Sequence, residues 1–382
     1  MWSPDGKWIA FATDVYPECG ADDACNKKVA ETWEKGPLAA HMADSLLYRH
    51  WTEWKDGKRS HVFLADAETG KVRDLTPGDF DSPTFQLSGP VQYDFSPDGR
   101  ELAYSSNHDP DPASSTNNDL FVVSLTDPAA AAKDITAANP AYDGTPRYSP
   151  DGRKVAYRMQ RIPGYESDLF RLVLYDRASG KSTVLTESFP NWVDDFQWSA
   201  DSRSIFFTAP DKGENPIYRL DLAEGAIGEV LRDKTIDAFA LDEQGRRIVY
   251  VRRAVGAPWE IFAADLSDSG APRITRLSHV NDAVAEDLVI TGEKDFRVPY
   301  TQSLELFTDL QQMKVPSRLI VLSKAGHWPS WYEMALYYTA HLEWFQEYLG
   351  GGAPPWTTRA FLRNQVFDPK TGKALTPEQN PR

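Results

Sequence analysis

Apolar and polar positions alternate with a short period through the first two thirds of the chain. Strand-length runs such as Lys7-Trp-Ile-Ala-Phe11, Glu101-Leu-Ala-Tyr104 and Lys154-Val-Ala-Tyr157 recur, each bounded by turn residues. Such runs predict short β-strands joined by tight turns. The turns themselves repeat. Ser3-Pro-Asp-Gly6, Ser96-Pro-Asp-Gly99 and Ser149-Pro-Asp-Gly152 are full copies, Ser199-Ala-Asp-Ser202 is a weaker fourth, and Asp242-Glu-Gln-Gly245 is a fifth. Proline presets φ, aspartate bonds back to the backbone and glycine accepts positive φ, so the following residues enter a strand. Counted at the last residue of each turn, the steps are 93, 53, 50 and 43 residues.

A second strand follows each later copy: Asp119–Val123, Asp168–Leu172, Ile217–Leu220 and Glu260–Ala263. Most units close on a Leu/Ile-Thr pair, at Leu75-Thr76, Ile135-Thr136, Leu185-Thr186 and Ile274-Thr275. About four short strands per ~40–50 residues is the signature of a β-propeller; another solenoid is the alternative. The fold class expected is therefore mainly β, a partial propeller of about five blades over residues 1–277. The long first step holds an insertion over about 16–59, with a helix near Asn26–Glu34 and an aromatic cluster of Tyr48, His50, Trp51 and Trp54. The cluster reads either as a cavity wall or as a packed excursion. His108-Asp-Pro-Asp111 lies in a Ser/Asn/Pro-rich loop and reads as turn chemistry rather than a metal site.

The period changes after Leu277. Residues 278–287 read as a junction, and 288–349 as strand, helix, strand, helix. Val289-Ile-Thr-Gly292 is an apolar run followed by Asp295. Leu304, Phe307 and Leu310 mark one face of a helix over Tyr300–Lys314. Arg318–Ser323 is a second β-rich run followed by His327, and a second helix covers Trp331–Leu349. A right-handed crossover makes the two strands parallel and brings both following loops to one sheet edge. Asp295 and His327 are thereby expected to meet, a carboxylate orienting an imidazole. Residues 350–382 read as an irregular tail.

Composition adds exclusions. The formal net charge of −15 and the lack of a basic cluster argue against nucleic acid or an anionic membrane as partner. No apolar run approaches the ~20 residues that span a bilayer. Met1 leads straight into turn chemistry, so no signal peptide is read, and a missing N-terminal region is expected. Cys19 and Cys25 read as one short-loop disulfide, which fits an oxidising compartment, or as two unpaired thiols.

The Ser-Pro-Asp-Gly repeats, followed by Gly292-Glu-Lys-Asp-Phe-Arg-Val-Pro299 and Gly326-His-Trp328, resemble the prolyl oligopeptidase family of serine peptidases. The likeness is to its bacterial dipeptidyl-peptidase and acylaminoacyl-peptidase branch. The Cys19/Cys25 insertion and Arg49-His-Trp-Thr-Glu-Trp54 resemble the dipeptidyl peptidase V type. The resemblance implies short peptides as substrates and, with the cysteine pair, a periplasmic or secreted location, a cytoplasmic one being the alternative; no cofactor or metal is indicated. It implies Asp295 as the triad carboxylate and His327 as general base. A nucleophile is absent: no Gly-x-Ser-x-Gly elbow occurs, and only about ten residues lie where most of an α/β-hydrolase domain should be. Ser303, Ser323 and Ser330 do not sit at a strand-to-helix elbow. The chain as written is thus expected to be inactive, the alternative function being a propeller module that binds peptides or proteins without cleaving them.

Overall fold

The computed structural model describes residues 1–37, 40–44, 46, 48–50, 53–84, 91–254, 257–266, 271–280, 287–295, 300–350, 352 and 357–362. The protein is mainly β. The chain divides into two compact units, one of Met1–Val249 with Ala264–Arg273, the other of Tyr250–Ala263 with Ile274–Arg382.

Five sheets follow one another in chain order. The first joins β1 (Trp8–Val15), β4 (Arg59–Asp66) and β5 (Val72–Asp74); between β1 and β4 lie helix α1 (Asp23–Glu34) and a small hairpin of β2 (Arg49–His50) and β3 (Glu53–Trp54). The second is β6 (Tyr93–Phe95), β7 (Glu101–Ser106), β8 (Asp119–Ser124) and β9 (Lys133–Asp134). The third is β10 (Asp143–Tyr148), β11 (Lys154–Met159), β12 (Arg171–Asp176) and β13 (Lys181–Val184). The fourth is β14 (Phe196–Trp198), β15 (Ser204–Thr208), β16 (Ile217–Asp221) and β17 (Ile227–Leu231). These four are antiparallel. The fifth keeps the same consecutive order, β18 (Thr235–Leu241), β19 (Arg247–Ala254), β20 (Ala257–Asp265) and β21 (Arg273–Arg276).

Each of the first four sheets buries apolar side chains against its neighbour. Ala10, Val62 and Leu64 of the first meet Leu102, Tyr104 and Phe121 of the second. Ala103 and Leu120 of the second meet Val155, Tyr157 and Val173 of the third. Ala156 and Leu172 of the third meet Ile205, Phe207 and Leu220 of the fourth. The second and third sheets are thus apolar on both faces, which explains why their strands carry near-continuous rather than strictly alternating apolar runs.

The repeated turns are built as their residues dictate, with one device beyond the roles of proline, aspartate and glycine. In the second sheet Asp98 Oδ1 accepts from Ser96 Oγ at 2.6 Å and from the Arg100 N–H at 3.1 Å. Ser96 Oγ in turn accepts from the Glu101 N–H at 3.0 Å, the first residue of the strand. The same bonds recur at Ser149/Asp151 and Ser199/Asp201. The closing threonines have an equally local task. The hydroxyls of Thr76, Thr136 and Thr186 accept from the backbone N–H of Val62, Leu120 and Leu172 at 2.8–2.9 Å, pairing groups that would otherwise be buried unsatisfied.

The fourth turn departs from the pattern at two positions, Ala200 in place of proline and Ser202 in place of glycine, and the second carries a backbone cost. Ser202 holds φ 60°, where Gly99 and Gly152 hold 67° and 69°. A Cβ in this left-handed region costs about 1 kcal/mol. Ser202→Gly is expected to stabilise the fold by about 0.5–1 kcal/mol, offset in part by loss of the exposed bond from the Asp151 N–H to Ser202 Oγ. Thermal melting measures this, and a lower Tm for the variant would refute it.

Three elements differ from expectation. Helix α1 starts at Asp23 rather than Asn26, because Asp22 caps it by accepting from the Cys25 N–H at 3.0 Å. The strand expected from Asp168 begins at Arg171. The Asp168 carboxylate is occupied with the N–H groups of Arg161, Ile162 and Leu169, which holds a turn there. The tail contains a short helix, α4 (Thr358–Leu362), whose Thr358 N–H and hydroxyl bond the Glu343 carboxylate at 2.9 and 2.6 Å. The rest of the tail beyond Leu362, most of the 278–287 junction, and Trp51 lie outside the described residues.

Candidate active site

β22 (Asp287–Gly292) and β23 (Ser317–Leu322) pair in parallel, from Asp287 opposite Ser317 to Gly292 opposite Leu322. The crossover is α2 (Tyr300–Gln312). Leu310 is buried, and Leu304 and Phe307 are half-buried on the same face. Parallel pairing sends both strand ends the same way, so the loops after them emerge side by side. α3 (Trp331–Leu349) follows, with Leu336 and Ala340 packed on Ile320 and Leu322. Its start is fixed by Ser330, whose N–H and hydroxyl both donate to Glu333 Oε2, at 2.8 and 2.5 Å. Those bonds hold the Glu333 carboxyl below its ordinary range.

The two loops are locked to each other by backbone. The Glu293 N–H donates to Leu322 O at 3.0 Å and the Lys294 N–H to Ala325 O at 2.9 Å. Gly292 lies at the crossing. A Cβ there would fall 2.2 Å from Gly326 O and 2.7 Å from Ala325 O, closer than real Cβ contacts. Only glycine lets the two chains approach so far. The sequence shows a glycine ending the strand; the partner loop that requires it is visible only in three dimensions.

On this frame Asp295 Oδ2 stands 2.9 Å from His327 Nδ1. The Asp295 side chain is 10% exposed and that of His327 43%. A carboxylate only accepts, so the imidazole donates Nδ1–H and keeps its lone pair on Nε2. The pair is then an oriented base, with half of the ring open to solvent. Trp328, exposed, meets the ring edge-on at 5.7 Å between centroids. Phe296, Arg297, Val298 and Pro299 of the motif lie outside the described residues.

The other serines have other places. Ser303 is within α2, Ser323 follows the last residue of β23, and Ser330 is the N-cap of α3. Cys19 and Cys25 form a disulfide with Cα atoms 5.5 Å apart. In the insertion Tyr48 tilts against Trp54 at 5.5 Å, and His41 stacks flat on Trp54 at 4.1 Å while Asp56 holds its Nδ1 at 2.7 Å. The His50 side chain lies outside the described residues. His108 is sandwiched between Phe80 and Phe121 at 3.9 and 4.4 Å.

Two further histidine–carboxylate pairs escaped the sequence reading. One is His41–Asp56. The other is buried: His61 Nδ1 lies 2.7 Å from Asp74 Oδ2 and its Nε2 lies 2.9 Å from Gly78 O. Burial pulls the His61 pKa down, but the Asp74 carboxylate, the Gly78 carbonyl and the Asp81 charge together raise it above its ordinary value. Neither pair has a sequence motif; both arise from strand and loop partners that only the fold brings together.

Residues 258–352 match the sequence profile of the prolyl oligopeptidase family. The chain is 31% identical over 237 residues to dipeptidyl-peptidase 5 of Porphyromonas gingivalis, covering 60% of this chain and 33% of that protein. It is 30% identical over 286 residues to dipeptidyl-peptidase 5 of Porphyromonas endodontalis, covering 72% of this chain and 39% of that protein. The chain thus spans between a third and two fifths of the length of these curated relatives. Among solved structures, the acylaminoacyl peptidase of Pyrococcus horikoshii aligns with a TM-score of 0.54 at 14% identity, over 95% of this chain and 56% of that one, a likeness of fold. Residues 258–352 thus carry the sequence pattern of the prolyl oligopeptidase family, and over 60–72% of its length the chain is similar to dipeptidyl-peptidase 5 proteins.

Proposed function

We propose that Asp295 and His327 are the orienting carboxylate and general base of a Ser–His–Asp peptidase acting on short peptides, and that this chain lacks the nucleophile. The observation that carries the reading is the 2.9 Å bond between them at the end of two parallel strands. In such a site Nε2 would take the proton of a serine hydroxyl as it attacks a peptide carbonyl. Asp295 would hold the tautomer and stabilise the imidazolium that forms. The serine should be exposed at a neighbouring strand-to-helix elbow. No such elbow exists in the sequence, so the base has no alcohol to activate, and acyl transfer does not proceed on this chain alone.

In this reading residues 1–277 are five blades of a propeller, 278–287 a junction, and 288–349 the last strands and helices of an α/β-hydrolase domain. The succession of one three-stranded and four four-stranded sheets, and the apolar cores between the first four, support the blades. The substrates proposed are short peptides, as the names of the dipeptidyl-peptidase relatives imply for those proteins. The Cys19–Cys25 disulfide favours a periplasmic or extracellular site of action; among the described residues no helix is long and apolar enough to cross a membrane. The second reading, a propeller that binds peptides without cleaving them, rests on the missing elbow.

The test is exposure of the full chain to a fluorophosphonate probe, with dipeptidyl amides as substrates. Neither labelling nor turnover is expected. Stoichiometric labelling of Ser303, Ser323 or Ser330 would overturn the assignment.

A further inference from the structure

His61 of β4 is fully buried, and both of its ring nitrogens face acceptors. Nδ1 lies 2.7 Å from the Asp74 carboxylate on β5, and Nε2 lies 2.9 Å from Gly78 O in the connection to the second sheet. A carboxylate and a carbonyl oxygen only accept. The ring must therefore donate from both nitrogens, and only the imidazolium does so. The surrounding charges favour that state. Asp81, in the same connection as Gly78, adds a second negative charge; it is itself bonded to Lys55 and to the Ser60 N–H. Arg59 is taken by Asp79 at 2.9 Å. On β1 the residue opposite His61 is the neutral Thr13, and the second sheet adds the phenol of Tyr104, within the field of Asp74. Burial opposes a charge on His61, but Asp74, the Gly78 carbonyl and Asp81 outweigh it and raise the pKa above its ordinary value.

The segment that this ring holds has fixed ends and few ties of its own. Before it, the Thr76 N–H donates to Asp74 Oδ1 and the Thr76 hydroxyl accepts from the Val62 N–H, both at 2.9 Å. After it, the Ser82 N–H donates to Ser60 O at 2.6 Å and the Ser82 hydroxyl meets that of Ser106 at 2.8 Å. Between these ends, among the described residues, the one hydrogen bond to the backbone is that from His61 to Gly78 O. The side chains there are the exposed Asp79 and Phe80, whose ring covers one face of His108 at 3.9 Å. Loss of a proton from His61 leaves a single N–H. It stays on Nδ1, because the bond to a carboxylate is the stronger one. Nε2 then turns a lone pair on Gly78 O in a buried place, which movement of the segment relieves. We propose that His61 is a proton-operated latch: charged, it holds residues 77–80 against β4 with Phe80 closed over His108; neutral, it frees that segment and uncovers the His108 ring. The latch is separate from Asp295 and His327 and does not depend on the peptidase reading.

The experiment is a pH titration of the full chain, followed by nitrogen and proton NMR of the histidine rings. At about pH 6 His61 should carry protons on both nitrogens. As pH rises above about 6.5 it should lose the one on Nε2, and the His108 ring protons should leave their stacked positions with the same midpoint. Burial holds the pKa of His108 below its ordinary value, so its own titration does not overlap this step. Asp74→Asn should disable the latch. Its Oδ1 can keep the Thr76 N–H while its Nδ2 donates to His61 Nδ1, so a neutral ring keeps its Nε2–H on Gly78 O. In that variant the His61 midpoint should fall by about one pH unit or more, with His108 closed throughout. The titration of the parent chain decides by itself if Asp74→Asn does not fold. A single proton on His61 at about pH 6, His108 signals that ignore the His61 midpoint, or an Asp74→Asn variant that opens where the parent does would each overturn the proposal.

Discussion

Gly292→Ala should separate Asp295 from His327 while leaving the antiparallel sheets intact. The added methyl would lie 2.2 Å from Gly326 O, 2.7 Å from Ala325 O and 2.9 Å from Ala325 C. All three are backbone atoms, so no side-chain rotation relieves the overlap. Restoring an ordinary contact of 3.4 Å requires one loop to move by more than 1 Å. The bond from the Lys294 N–H to Ala325 O, now 2.9 Å, would not survive that shift. Overpacking of this kind costs about 1–3 kcal/mol. The consequence for chemistry is larger than for stability, since a displacement of ~1 Å in a catalytic group lowers rates by about a hundredfold. Nitrogen NMR of the imidazole reads the effect without needing turnover. The parent chain should show His327 fixed with its proton on Nδ1, and Gly292→Ala should show a tautomer mixture with unchanged far-ultraviolet circular dichroism. Gly326→Ala is the control, because its Cβ would find Lys294 O no nearer than 3.7 Å. Unaltered imidazole signals in Gly292→Ala would show that the loop crossing does not position the pair.

The legibility of this site in the sequence follows from how local its causes are. Strand, helix and strand could be read from 289–323 because apolar runs and a helical face declare themselves within a few residues. The meeting of Asp295 and His327 then followed from handedness alone. The turns were legible for the same reason, since Ser96, Asp98 and Gly99 bond within five residues of one another. A second local signal was present and unread. Asp66, Asp176 and Asp221 each precede a glycine by four residues, at Gly70, Gly180 and Gly225, whose N–H closes the turn between the last two strands of its sheet onto the aspartate carbonyl at 2.8–2.9 Å. What could not be read were contacts whose partners lie far apart in the chain. Gln92 is one such case: its Oε1 accepts from the Thr145 N–H at 2.7 Å and ties the second sheet to the third across 53 residues. Burial of a charge is of the same kind, because it depends on what several distant segments place around it.

Asp143→Asn should stabilise the fold at neutral pH, against the usual sign for a change at a buried position. Asp143 is fully buried at the start of β10. Its Oδ2 accepts from Asn139 Nδ2 at 3.0 Å, while its Oδ1 has no hydrogen-bond partner among the described residues. Burial first, and then the charges of Asp119 and Asp134, push its pKa up to about 9, against the downward pull of Asn139 and Thr136. The folded protein therefore keeps this carboxyl neutral at pH 7, where the unfolded chain ionises it. Below about pH 4 both states are protonated and there is no penalty. Above that, stability falls by about 1.4 kcal/mol per pH unit until the folded group itself titrates. Asparagine never ionises, so the variant should gain about 2–4 kcal/mol at pH 7 and show a flatter dependence above pH 4. Other groups shape the remaining profile. The contribution of His61, whose pKa is raised, is complete below its unfolded value and is lost as pH rises through the folded one. Turn aspartates such as Asp98 and Asp151, whose hydroxyl partners Ser96 and Ser149 lower their pKa values, contribute above the unfolded value and lose that contribution as pH falls. The parent chain should accordingly be most stable in mildly acidic solution, and Asp143→Asn should shift that maximum toward neutrality. Thermal melting of both chains from pH 4 to pH 8 decides the matter. A variant that melts below the parent at pH 8, or that keeps the parent's slope, would mean that Asp143 is ionised in the folded protein.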